Sequence, residues 1–426
     1  MRARYALAVA LVATTSAVAG AQTIAITGGR VYPVSGPMIE NGTVLMRDGR
    51  IVAVGAAVSI PADAQRIDAT GKVVTPGLVN AATQLTLTEI GAVGSTREGQ
   101  ARGREGIAAA YRPWEGLNPA SVLIAPARNA GVTTVLIAPS GGLISGQAGV
   151  IHLVPGTATD MLLKAPVAMA ASLGPARGPN GSPRAETIMR LREILDDARV
   201  YRTRRADFER AQTRSLAAGR LDLEALLQVL DGRIPMLVDA DKASDIEAAM
   251  ALAKEYGFRL IIAGGAEAWE IADKLAAARI PVLTGAMNNI PESFVALGQR
   301  QENAGILSKA GVSVSVIGNA GGGDEEAFNV RNVRFEAGNA VAYGMEWNAA
   351  LRSITLTPAE TFGVADRVGS LAPGKVADVV IWSGDPLEIS TQPERVFVRG
   401  QEIRQASRQD LLEERYKTLP PSYRRP

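Results

Sequence analysis

From Val73 onward the chain alternates short apolar runs with helical segments, and this alternation limits its fold more than any other feature. The runs are Val73–Val79, Thr133–Ile137, Val167–Ala171, Pro235–Asp239, Arg259–Ala263, Pro281–Thr284 and Val312–Ile317. They are mostly apolar throughout, as parallel strands covered on both faces must be. Between them, Ser244–Tyr256 sets Ile246, Met250 and Ala253 at helical spacing, and Trp269–Ala278 does the same with Ile271 and Leu275. Alternating β and α elements predict a parallel sheet with right-handed crossovers. Gly149–Val154 is either an eighth strand or one arm of a hairpin.

Strand-rich segments bracket this α/β middle. Ile24–Ile26, Arg30–Pro33, Gly42–Met46 and Ile51–Val54 read as short strands, punctuated by Gly28-Gly29, Asn41-Gly42 and Asp48-Gly49. Asn-Gly and Asp-Gly are hairpin signals because both residues tolerate positive φ. The β pattern returns over Gly369–Trp382 and Arg395–Arg399, before a charged tail with a short helix at Arg408–Tyr416.

Arg184–Ser215 reads as a helical insert with Ile188, Leu191, Leu195 and Ala198 on one face. Its second half carries Arg199, Arg202, Arg204, Arg205, Arg210 and Arg214, interleaved with Asp196, Asp197, Asp207 and Glu209. Such a pattern is either a solvated, salt-bridge-laced helix or a docking surface for an acidic partner.

At 426 residues and 47% hydrophobic content, the chain has room for one barrel of about 250 residues or more plus a small domain. Residues 1–21 read as a secretory signal: Arg2 and Arg4, the apolar run Ala6–Val12, then Ala19-Gly20-Ala21 before Gln22. The run is too short for a membrane anchor, so the expected location is the periplasm, or outside the cell. There are no cysteines, which excludes disulfides and thiol chemistry. Without Arg2 and Arg4, the 45 basic residues fall to 43, equal to the 43 acidic ones. That balance gives no electrostatic case for nucleic acid or membrane binding.

Four blocks carry a resemblance. They are Gly29–Gly55 (G-R-V…N-G-T-V-L-M-R-D-G-R-I-V-A-V-G), Thr75–Asn80 (T-P-G-L-V-N), Ala130–Val135 (A-G-V-T-T-V) and Leu356–Trp382 (L-T-P-A-E-T-F-G…G-S-L-A-P-G-K-V-A-D-V-V-I-W). In this order and spacing the chain resembles the amidohydrolase superfamily, particularly its imidazolonepropionase-like, exported branch. The resemblance implies a (β/α)8 TIM barrel flanked by a small β-sandwich built from both chain ends. The expected domains are 22–75 and 369–405 for the sandwich, 76–368 for the barrel with the insert at 184–218, and 406–426 for the tail.

The resemblance also implies a divalent metal, usually zinc, held by an H-x-H pair on the first barrel strand, two later histidines and a final aspartate. Here Ala82 and Gln84 stand at the pair, Asp239 at the next position, Ala263 or Gly264 at the following one, and Asn319 at the aspartate. The whole chain holds one histidine, His152. A catalytic zinc site wants three strong ligands and an open position, so no metal or other cofactor is expected. An oxygen-only Mg²⁺ or Ca²⁺ site from Asp239, Asp241 and Asn319 is the alternative.

Gln84, Asp239, Asp241 and Asn319 are therefore the expected binding residues, with Asp239 and Asn319 the catalytic candidates if any catalysis remains. Asp239 and Asp241 share one strand face; they either do acid–base work or cap the next helix in competition with Ser244 and Asp245. His152 reads as a packed structural histidine; Ser140 and Ser145 are the nearest nucleophiles in sequence, with nothing to fix such a pair. The glycine-rich loops Pro139–Gly149 and Asn319–Glu326 fit no phosphate-binding pattern and are placed over the barrel mouth.

Three functions follow. The first is a catalytically degenerate superfamily member that binds a ligand, or pairs with an intact relative or with itself. The second is a hydrolase of amide or cyclic amide bonds using a carboxylate or oxygen-ligand site. The third is an interaction protein working through the arginine-rich insert.

Overall fold

The computed structural model describes residues 23–101, 103–174, 183–287, 296–318 and 325–418. Residues 1–21, expected as a secretory signal, Asn319 and most of the second glycine-rich loop lie outside these residues. The first strands are β1 (Thr23–Val31), β2 (Ile39–Arg47), β3 (Arg50–Gly55), β4 (Gln65–Asp68) and β5 (Val73–Pro76). Next come β6 (Leu78–Thr83), β7 (Val132–Ile137), β8 (Ile144–His152) and β9 (Leu162–Ser172). Then follow β10 (Met236–Ala240), β11 (Leu260–Gly264), β12 (Val282–Thr284) and β13 (Val314–Val316). The last are β14 (Val379–Trp382), β15 (Pro393–Val398) and β16 (Gln401–Glu402).

Both chain ends build one sheet in the order β16-β15-β14-β5-β1-β2-β3, with β4 also on β1. The expected sandwich is thus a single hydrogen-bonded sheet, with Ile26, Met46, Ile67, Val379 and Phe397 in one shared core. Asp48-Gly49 makes the predicted hairpin turn, with φ of 51° and 73°. The other two punctuation points lie inside strands. Gly28 has φ +79°, and the β1–β2 ladder resumes at Gly29 opposite Gly42, so they mark irregularities in continuous strands.

The run Val73–Val79, expected as one barrel strand, divides at Gly77. β5 pairs with β14, and β6 pairs with β7. A Cβ at Gly77 would lie 2.2 Å from Thr133 Oγ1, so only glycine lets the chain cross here from one sheet to the other.

The second sheet runs β6 to β13 in sequence order and is mixed. β9 to β13 are parallel to one another, as are β6 and β7, but β8 is antiparallel to both β7 and β9. The expected uniform (β/α)8 order is corrected at this point. The connection from β7 to β8 is short, and a chain that turns back at once can pair only antiparallel. Gly149–Val154 falls largely within β8, which is both a strand of the sheet and a hairpin arm. The sheet nearly closes, with β13 beside β6. A Cβ on Gly318 would stand 3.1 Å from Asn80 Nδ2.

Alternation along the strands divides the core. Leu237, Ile261, Leu283 and Ile317 join an inner cluster with Leu136, Val167 and Phe362. Val238, Ile262, Val282 and Val316 join the outer cluster under the helices. Each such side chain contributes about 1.5–3 kcal/mol by burial.

The insert forms a helix over Arg184–Thr203 and a short one over Arg205–Glu209, ending sooner than expected. Buried Asp197 accepts bonds from Arg214 and the Ala217 N–H, folding the chain back. All six arginines have partners within the chain: Tyr256, Asp231, Asp207, Glu209 with Glu224, Asp207 again, and Asp197. That arrangement matches the salt-bridge-laced alternative. Among the described residues, no helix is long and apolar enough to cross a membrane.

Candidate functional site

The mouth of the barrel lies at the C-terminal ends of the parallel strands, the end where sites form in such folds. Leu237 faces inward on β10, and alternation carries Asp239 and then Asp241 to the same side above it. Asp239 pairs in register with Ser172 on β9 and Ala263 on β11. Ser172 Oγ donates to Asp239 Oδ2 at 3.1 Å.

The two aspartates converge on Gly264. A Cβ there would stand 2.6 Å from Asp241 Oδ1 and 3.4 Å from Asp239 Oδ1, at a φ of +82°. Burial pushes the Asp241 carboxyl up to about 6, and the Asp239 charge adds to the rise. The Ala266 N–H, bonded to Asp241 Oδ1 at 3.3 Å, works against it. Neither aspartate caps the helix Ala243–Tyr256. Glu267 Oε2 does so, accepting the Ala243 N–H at 3.0 Å, while Asp245 pairs with Arg184.

Gln84, just past β6, is buried and engaged locally. Its Nε2 donates to Ser140 Oγ at 2.9 Å, and its Oε1 accepts from Thr88 Oγ1 at 3.1 Å. Ala82 is half-buried on β6, its N–H bonded to Asn80 Oδ1. Asn80 Nδ2 reaches across to Val330 O at 3.2 Å. The structure thus brings Asp239 and Asp241 together and ties Gln84 into a separate network. Asn319 lies outside the described residues.

The glycine-rich stretch Pro139–Gly149 is only partly a loop, because Ser145 already belongs to β8 and bonds Gly142. His152 is at the other end of that strand, about 23 Å away. It is fully buried, and its Nε2 lies 2.7 Å from Asp378 Oδ2. Among the described residues, no serine–histidine hydrogen bond forms.

Ser172, Glu267 and Glu336 were missed in the sequence. Glu336 Oε2 accepts the N–H groups of Ala286 and Met287, bracing the segment after β12. Only Ser172 carried a signal, as a polar residue ending an apolar strand.

The amidohydrolase family profile matches residues 285–404. The chain is 26% identical over 394 residues to Amidohydrolase tasK of Hapsidospora irregularis, covering 85% of this chain but 39% of that protein. It therefore spans well under half the length of that relative. It is 24% identical over 370 residues to an imidazolonepropionase of Mesorhizobium japonicum, with 81% and 87% of the two chains covered. An amidohydrolase structure from Thermotoga maritima superposes with a TM-score of 0.79 at 27% identity, covering 89% of this chain and 99% of that one. The chain is similar to the amidohydrolase superfamily in family profile, in curated relatives and in fold. Within this amidohydrolase-like chain, no group of three or more His, Cys, Asp or Glu among the described residues could hold a metal ion.

Proposed function

We propose that this chain is a catalytically degenerate superfamily member and binds a ligand at the barrel mouth through Asp239, Asp241 and Ser172. One observation carries the reading: the chain's only histidine is spent on Asp378, at the end of β8 away from the mouth. The residues present do not fit a zinc centre of the family's kind. Imidazole positions hold Ala82, Gln84 and Asp239, and the space beside Gly264 is taken by carboxylate oxygen.

Carboxylates and a hydroxyl without imidazole accept hydrogen bonds, so the matching ligand presents ammonium or N–H groups. The barrel is read as a TIM-type barrel in which the β8 hairpin is a local departure. Export to the periplasm, and pairing with an intact relative or with a second copy, belong to the same proposal.

The test is metal analysis of the purified mature protein together with a hydrolysis panel of acyl-dipeptides and cyclic amides. The expected result is no stoichiometric transition metal and no turnover, with an amine- or amide-bearing ligand retained in native mass spectra. Stoichiometric zinc, or turnover, would overturn it.

A second reading rests on Asp241, whose carboxyl is raised to about 6 beside Asp239. A carboxyl raised to about 6 by burial, with a second carboxyl beside it, is a usable acid–base pair. Turnover that Asp239→Asn abolishes would support that hydrolase.

A further inference from the structure

A cavity of about 820 Å³ opens at the barrel face opposite the mouth, where β10 to β13 begin. It lies between the helices Ala243–Tyr256, Ala272–Ala277 and Leu356–Thr361. Its size falls within the usual range for small-molecule sites. Met250, Phe258 and Ile280 supply apolar wall.

The charge lining it is one-sided. Its one carboxylate, Glu360, has both oxygens bound by Arg352 Nη2 at 2.7 and 2.6 Å. Among the described residues, Arg259 donates only to the carbonyls of Gly232 and Arg233. Lys254 and Arg279 are exposed at the rim and carry no ion pair among the described residues. Cations at helix C-terminal turns complement the helix dipole, which accounts for a charge there but not for an apolar hollow beneath it.

We propose that this cavity binds an amphipathic carboxylate, with a medium-length acyl chain against the apolar wall and the anionic head between Lys254 and Arg279. The site is separate from the mouth, and its occupancy does not depend on what the mouth binds.

Equilibrium dialysis of the full mature chain with radiolabelled decanoate tests it. Saturable single-site binding is expected, weakened at least about tenfold in the double variant K254E/R279E and for decanol in place of decanoate. Both substitutions are at exposed positions, and an unchanged melting transition certifies the variant fold. Absence of saturable binding overturns the proposal. So does binding that the double variant leaves intact, or decanol binding as tightly as the acid. Ala278→Trp, placed on the lining, is expected to block decanoate, and undiminished uptake by that variant also counts against the site.

Discussion

His152 Nε2 lies 2.7 Å from Asp378 Oδ2, and this buried pair links the end of β8 to the residue before β14. Asp378 Oδ1 also accepts the Arg399 N–H at 3.0 Å. The pair therefore fastens the barrel to the other sheet. His152→Ala strips a buried carboxylate of one partner and is expected to cost about 2–3 kcal/mol. Urea unfolding measures that cost, while ligand retention at the mouth stays unchanged. A variant of undiminished stability would contradict the fastening role.

Asp241 makes stability depend on pH in a specified direction. Its folded carboxyl titrates at about 6 against an ordinary 3.8, so the folded state binds more protons than the unfolded one between those values. Stability contributed by this group falls as pH rises through that window. Asp241→Asn removes the penalty, with an expected gain of about 1–2 kcal/mol at pH 7 that fades towards pH 4. Denaturation curves at the two pH values check the sign.

Gly264→Ala places a methyl group 2.6 Å from Asp241 Oδ1 and forces a φ of +82° on a residue with a side chain. A loss of about 2 kcal/mol or more is expected, along with loss of any mouth ligand. Gly264→Ala combined with Asp241→Gly relieves the contact but not the dihedral strain, so thermal melting of the double variant should recover only part of the loss.

Restoring the first-strand histidines should not restore zinc. Ala82→His/Gln84→His supplies two imidazoles, but β10 and β11 still present Asp239 and Gly264 at the later positions. It also breaks the Gln84 bonds to Ser140 and Thr88. Zinc binding in the double variant is expected to remain substoichiometric at equimolar metal, read by elemental analysis after gel filtration. Tight one-to-one zinc would show that the rest of the mouth is still competent.

The strands were legible because burial on both faces leaves unbroken apolar runs, and β7 and β9 to β13 fall where those runs do. The reversed direction of β8 was not legible, since Ile144–His152 has the same apolar character whichever way it points. The break at Gly77 was hidden for a similar reason: β5 and β6 are both buried and apolar, and only the Thr133 contact separates them. At the mouth, alternation put Asp239 and Asp241 on one side, as read from their spacing. Glu267 was invisible because its carboxylate caps a helix earlier in the chain, a contact made only by folding.

β5 is held on one flank by β14, a strand more than 300 positions further along the chain, and Trp382 Nε1 closes the join on Thr75 Oγ1 at 2.8 Å. During synthesis the earliest strands must wait for nearly the last ones before this edge is covered. A ribosome stalled, or a transcript cut, before Val379 would release a protein with an open β-edge ready to pair with a neighbour. Incomplete chains should therefore accumulate as aggregates rather than as shortened folded forms.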